Sequence, residues 1–154
     1  MKQLLPYLFI LGAIITWGAY VPTIHAGQLG FNPKGPFRAF LFVGVAYCVM
    51  GLLIPGIVIF AAKQEPATFA SQGIKMSTLA GIFGATGALC VVFALTTGGK
   101  PAWVAPLIFA GAPIMNVFVS LKWHPPSQPT QWPFYLGMVM AAVGAGLVLY
   151  YKPS

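Results

Sequence analysis

Five long runs of apolar residues follow one another along this chain of 154 residues, and short polar connections separate them. Each run has about twenty residues, the length that an α-helix needs to cross a hydrocarbon core about 30 Å thick. Charged residues make up only 6% of the chain, whereas a soluble domain has about 25%. The mean hydropathy of +0.85 agrees with this contrast. The sequence therefore predicts an all-α integral membrane protein that lies in the lipid bilayer.

The limits of the apolar runs predict five transmembrane helices within a single domain, 1–154. The helices are expected at about 4–24, 38–61, 76–97, 101–121 and 133–151, with limits uncertain by a few residues. The connections hold nearly all of the charge, and none is long enough to form a second domain. Tryptophan and tyrosine residues lie mostly near the ends of the runs, as an aromatic belt at the lipid headgroups requires.

The net charge of +7 comes from basic residues that are scattered among the connections and the chain ends. Such scattering favours contact with anionic lipid and not with nucleic acid. In a five-helix topology, four basic residues lie on each side of the membrane. They are Lys2, Lys63, Lys75 and Lys122 on one side, and Lys34, Arg38, Lys100 and Lys152 on the other.

Orientation normally follows the excess of Lys and Arg on the cytoplasmic side, so an equal distribution leaves orientation unspecified by charge. Two interpretations stay open. Helix hydrophobicity or a partner protein sets one orientation, or the chain inserts both ways round and assembles as an antiparallel homodimer.

Enzyme chemistry is nearly excluded by the residues that are missing. The chain has no Asp, and its only acidic residue is Glu65, so paired carboxylates for acid–base catalysis cannot be assembled. His25 and His124 have no cluster of metal-ligand residues beside them. Cys48 and Cys90 lie within predicted helices and are expected to be free thiols in apolar surroundings. We expect no enzyme activity, no metal site and no cofactor.

The fourth apolar run contains Pro106 and Pro113, which are seven residues apart and share one helix face. Each proline removes one helical hydrogen bond and leaves a carbonyl that needs another partner in a bilayer. Asn116 continues the same face; it either joins two helices or contacts a solute. Pro55 in the second run is a kink by the same reasoning, and kinked helices are common in transporters.

Small residues recur at helical spacing in the third and fifth runs, where they allow close approach of helix backbones. They are Gly81, Gly84, Ala85 and Ala88 in the third run, and Gly137, Ala141, Gly144, Ala145 and Val148 in the fifth. These faces either pack within the chain or form the contact surface of a homodimer.

Three segments resemble a known family of transporters. "GIFGATGALCVVFALTTGGKPAWVAPLIFAGAPIMNVFVS", residues 81–120, is similar to the central helical hairpin of the drug/metabolite transporter superfamily, which has the EamA-type fold. "PFYLGMVMAAVGAGLVLYY", residues 133–151, resembles the closing helix of such a repeat and the last helix of small multidrug resistance proteins. "LFILGAIITWG" near the start resembles the first helix of those same proteins.

The resemblance implies a fold and a function. Full-length members of the superfamily carry two five-helix repeats in inverted orientation, and this chain has the helices of one repeat, so a dimer of half-length chains is implied. Small multidrug resistance proteins use a carboxylate in the first helix for proton coupling, and Trp17 stands at that place here. The resemblance therefore implies a transporter or permease for a small neutral or zwitterionic metabolite. The "WG" of Trp17 and Gly18 also resembles sugar-type members.

The first helix supplies the candidate solute site. Thr16, Tyr20 and Thr23 share one hydroxyl-bearing face, with Trp17 beside it. Together with Asn116, the residues Thr16, Trp17 and Tyr20 are our candidate substrate-binding residues, and His25 with Gln28 is the candidate mouth of the pathway. The other interpretation is that Trp17 and Tyr20 pack in the core while His25 and Gln28 lie at the headgroups.

A second class of function fits the same sequence. A small membrane protein with short connections and no acidic residue within its helices is also suited to be a non-transporting structural or accessory subunit of a larger membrane complex. A transporter fold can serve a structural role, so resemblance of fold does not decide between them. For either function, a prokaryotic inner membrane is the expected location of so compact a chain.

Overall fold

The computed structural model describes residues 4–123 and 125–153, and all regular secondary structure in these residues is helical. The helices are α1 (Leu5–Gly30), α2 (Pro36–Ala61), α3 (Ser71–Thr96), α4 (Pro101–Trp123) and α5 (Trp132–Tyr150). Each is long and apolar enough to cross a membrane. The prediction of an all-helical chain with five helices able to span a membrane is confirmed for the described part of the chain.

Two helices extend beyond their expected limits by about five residues or more. The first helix was expected to end near residue 24 but continues through Pro22 to Gly30, and it ends shortly before the Asn32–Pro33 pair. The third helix begins at Ser71 and not near residue 76, and its first turn is closed by the bond from the Ile74 amide to the Ala70 carbonyl, 3.0 Å. Polar residues near the lipid headgroups can remain helical, so helix limits drawn from the apolar runs alone were too narrow.

The chain forms two compact units. The middle unit is Thr23–Thr97, and the terminal unit combines Met1–Pro22 with Gly98–Ser154. The assignment of the whole chain to a single domain stays a prediction.

In the middle unit, the first half of α2 packs against the second half of α3. The rings of Phe37 and Phe93 meet edge to face across this contact, with their centroids 5.9 Å apart. Val92 is completely buried, and the neighbouring buried residues follow helical spacing along α3. The buried apolar residues of the unit are Ile24, Ala39, Ala88, Val91, Val92 and Leu95.

The connection between α1 and α2 is closed by hydrogen bonds and a cation–π contact. The Gly35 amide donates to the Gln28 carbonyl at 3.0 Å, which returns the chain to the end of α1. The Arg38 guanidinium donates to the Pro33 carbonyl and lies over the Phe31 ring, 4.8 Å from its centroid. The first turn of α2 therefore holds the connection in place.

In the terminal unit, α4 packs against α5. The Lys152 Nζ lies 5.0 Å from the centroid of the Trp103 ring, so the residues after α5 return to the start of α4. The two helices are therefore antiparallel neighbours. Val21 and Val104 are the buried apolar residues described in this unit.

Most apolar side chains of the five helices face outward from the chain; α5 has no buried residue, and α2 has only Ala39 near its start. In a bilayer such surfaces are compatible with lipid, because lipid tails are as apolar as the side chains. The same surfaces are available to a partner helix.

Candidate functional site

The last two turns of α1 carry two buried polar groups. Gln28 is only 5% exposed, and His25, three residues earlier on the same helix face, is half-buried. Within the described residues, the Gln28 Nε2 and the His25 Nδ1 are buried and have no hydrogen-bond partner. These are the two residues that the sequence indicated as the mouth of a pathway.

Local structure explains why a polar side chain is buried here. Because α1 continues to Gly30, Gln28 is helical, and its carbonyl accepts the amide of Gly35 from the returning connection. Gly27 faces α2 so closely that a Cβ atom on it would lie 3.7 Å from the Ala39 Cβ. The end of α1, which includes Gln28, therefore lies against the start of α2.

The two groups suit a small hydrogen-bonding molecule. A buried polar group without a partner costs about 1–3 kcal/mol, so natural proteins rarely retain one without a reason. A glutamine amide and an imidazole ring both offer atoms that form hydrogen bonds with a solute. The pair can therefore bind a neutral or zwitterionic solute, or an ordered water.

The candidate substrate-binding residues lie in the terminal unit and are open to its surroundings. The Thr16 hydroxyl donates to the Gly12 carbonyl of its own helix at 2.9 Å. Trp17 is 66% exposed, Tyr20 is half-buried and Asn116 is exposed. A cavity around Trp17 and Asn116 requires lipid or protein from outside the chain, and their role in binding stays a prediction.

The prolines lie within helices, as expected from their position in the apolar runs. Pro106 and Pro113 are exposed on α4, which continues through both of them. Pro55 lies between two π-helical stretches, Val49–Leu53 and Ile57–Ala61. Because Pro55 has no amide hydrogen, the hydrogen bonding of α2 is interrupted there. The stretches on both sides are π-helical, with hydrogen bonds between residues five apart and not four apart.

The burial of Gln28 and the π-helical stretches are the two features that sequence reasoning missed. A signal for the first was present: Ile24 and Gln28 are four residues apart, and Gly27 next to them permits close approach of another helix. For the π-helical stretches, Pro55 indicated where the helix would be interrupted but not that π-helix would form on both sides.

Metal-binding residues are not grouped in the described part of the chain: no three His, Cys, Asp or Glu side chains lie together there. His124 lies outside the described residues. Cys48 and Cys90 are free thiols, and both are exposed on the surface of their helices.

Comparison of the chain with protein-family models, with curated proteins and with solved structures finds no match in any of the three.

Proposed function

We propose that the chain is a membrane transporter or permease for a small neutral or zwitterionic metabolite, working as a dimer of half-length EamA-type repeats. The observation that carries the proposal is the pair of buried polar atoms on α1, the His25 Nδ1 and the Gln28 Nε2. A solute that hydrogen-bonds to this pair supplies the partners that the chain does not. The proposal keeps Thr16, Trp17, Tyr20 and Asn116 as substrate-binding residues.

The distribution of charge supports a neutral or zwitterionic solute. Glu65, the only acidic residue, follows the end of α2, so none of the five helices carries a carboxylate. A proton-coupled carrier of cations needs an ionisable group within the membrane. Facilitated movement of a solute without net charge needs only hydrogen-bonding groups.

Open glycine faces support the dimer. A Cβ atom on Gly81, Gly84, Gly137 or Gly144 would meet nothing within 4 Å. Gly81, Gly84, Ala85 and Ala88 form a row of small residues that we call the α3 stripe. Of these, only Ala88 is covered within the chain, at 8% exposure. Faces of this kind permit close contact between helices of two chains. The equal distribution of basic residues supports an antiparallel arrangement in an inner membrane.

The test is uptake of solutes by proteoliposomes that contain the purified protein. A panel of radiolabelled neutral and zwitterionic metabolites is compared for the wild type, for Gln28→Leu and for the control Gln72→Leu, whose side chain is exposed near the start of α3. We expect uptake of at least one solute, its loss in Gln28→Leu and its retention in Gln72→Leu. Uptake no faster than in empty liposomes for the whole panel would overturn the proposal.

A second candidate is a structural or accessory subunit of a larger membrane complex. The observation in its favour is that α5 has no buried residue and α2 has only Ala39 near its start, which leaves long apolar surfaces for a partner. Single cysteines at Gln3 and Ser154, in a Cys48→Ala and Cys90→Ala background, distinguish the two. Labelling of each cysteine from both sides of the membrane supports the antiparallel dimer, whereas labelling from one side only supports the subunit.

A further inference from the structure

Two neighbouring depressions lie along the end of α2 and share the side chain of Phe60. The first is apolar, has a volume of about 410 Å³ and is lined by Leu52, Leu53, Gly56, Ile57, Phe60 and Ala61. The second has a volume of about 520 Å³ and adds the polar residues Lys63, Gln64 and Glu65 beyond the helix end. Both depressions are shallow and open to the surroundings of the chain.

The form of α2 produces the apolar depression. Both π-helical stretches contribute to it, and Gly56 between them has no side chain to fill it. A Cβ atom on Gly56 would meet nothing within 4 Å. The result is an apolar groove on the lipid-facing surface of a membrane helix, the shape and chemistry that accept an acyl chain.

The helix end produces the polar depression. Lys63 has a φ of 51°, which turns the chain out of the helix, and the Gln64 amide closes the turn on the Val58 carbonyl at 3.0 Å. Further along the connection, Phe69 returns to Phe60, with the ring centroids 6.5 Å apart. The turn places Lys63 and Glu65 around one depression, so it carries one positive and one negative side chain.

We propose that these depressions bind one phospholipid with an ethanolamine headgroup. The Lys63 ammonium pairs with the lipid phosphate, and the Glu65 carboxylate accepts hydrogen bonds from the lipid ammonium. The carbonyl groups at the end of a helix carry partial negative charge, which also favours an ammonium there. One acyl chain lies in the groove between Leu52 and Phe60.

The same chemistry discriminates between headgroups. A primary ammonium has three N–H donors for the carboxylate and the helix carbonyls, like a lysine side chain. A choline headgroup carries the same charge but has no N–H donor, and a glycerol headgroup has no cation for Glu65. Ethanolamine lipid should therefore bind most tightly of the three. This inference does not depend on transport.

The test is lipid binding measured by native mass spectrometry. The purified protein in detergent is titrated with ethanolamine, choline and glycerol phospholipids that have identical acyl chains, and the same titrations are made with Glu65→Gln, Lys63→Gln and the control Lys75→Gln. Thermal unfolding of each variant verifies that it is folded.

We expect Glu65→Gln to lower the preference for ethanolamine over choline lipid by about tenfold, since one charge-assisted hydrogen bond is lost. Lys63→Gln should weaken binding of all three lipids, and Lys75→Gln should have no effect. Equal binding of the three lipids by the wild type, an unchanged preference in Glu65→Gln, or equal losses in Lys63→Gln and Lys75→Gln would overturn the proposal.

Discussion

The ring of Phe37 on α2 meets the ring of Phe93 on α3 at an angle of 77°, with the centroids 5.9 Å apart. This edge-to-face arrangement is the favourable one for two aromatic rings, because it sets the positive edge of one against the negative face of the other. Phe93 directly follows the completely buried Val92. The pair therefore connects the two helices beside the core of the middle unit.

We predict that Phe37 and Phe93 are energetically coupled. Phe37→Leu, Phe93→Leu and the double variant should give a coupling of about 0.5–1.5 kcal/mol, the contribution of an aromatic pair beyond its buried area. Denaturant unfolding in mixed micelles, followed by tryptophan fluorescence, measures it. Phe83→Leu serves as the control, because Phe83 on α3 is 64% exposed. Additive effects of the two substitutions would show that the rings act independently.

Gly35→Ala is predicted to disturb the connection between α1 and α2. A Cβ atom on Gly35 would lie 2.6 Å from the Arg38 Nε and 3.0 Å from the Phe31 Cβ, so the guanidinium must leave its place over the Phe31 ring. We expect a loss of about 0.5–2 kcal/mol in unfolding free energy, from the cation–π contact and the hydrogen bond to Pro33. Limited proteolysis should also cut the connection faster.

The matched control for this prediction is Gly30→Ala. A Cβ atom on Gly30, at the end of α1, would meet nothing within 4 Å, so the substitution adds no contact. It should leave both stability and proteolysis near the wild-type values. If Gly35→Ala behaves like Gly30→Ala, the contact between Arg38 and Phe31 does not hold the connection.

The sequence predicts the five helices well, for a physical reason. Within lipid, each backbone polar group must find its partner inside the protein, so a long apolar run has little choice but to be helical. The end of α1 was less predictable, because Gln28 and its neighbours suit either a helix or a connection. The burial of Gln28 depends on the return of Gly35 and the approach of Ala39, which are contacts between residues distant in sequence. Gly27 permits the approach of another helix, but no local pattern identifies which residues will make that approach.

Gln28→Leu is predicted to leave the stability of the protein unchanged or to raise it. The Gln28 side chain is buried and its Nε2 lacks a partner within the described residues, so the amide is a cost to folding. Leucine of similar size removes that cost, which is about 1–3 kcal/mol at most. Thermal unfolding in the absence of solute, beside the exposed control Gln72→Leu, measures the difference. A marked fall in stability would mean that Gln28 supports the fold, and the solute role would lose its basis.

Gly81→Leu is predicted to separate the dimer without unfolding the chain. Gly81 lies on the open part of the α3 stripe, where an added side chain meets nothing within the chain, and leucine is the better helix former by up to about 1 kcal/mol. In a dimer that packs through this stripe, however, the leucine side chain would hold the two backbones apart. We expect the dissociation constant in liposomes, measured by energy transfer between labelled chains, to rise about tenfold or more, a change of about 1.4 kcal/mol.

Gly44→Leu on α2 is the control for Gly81→Leu. A Cβ atom on Gly44 also meets nothing within 4 Å, but Gly44 is outside the α3 stripe. Equal dissociation constants for the two variants would place the dimer contact elsewhere on the chain.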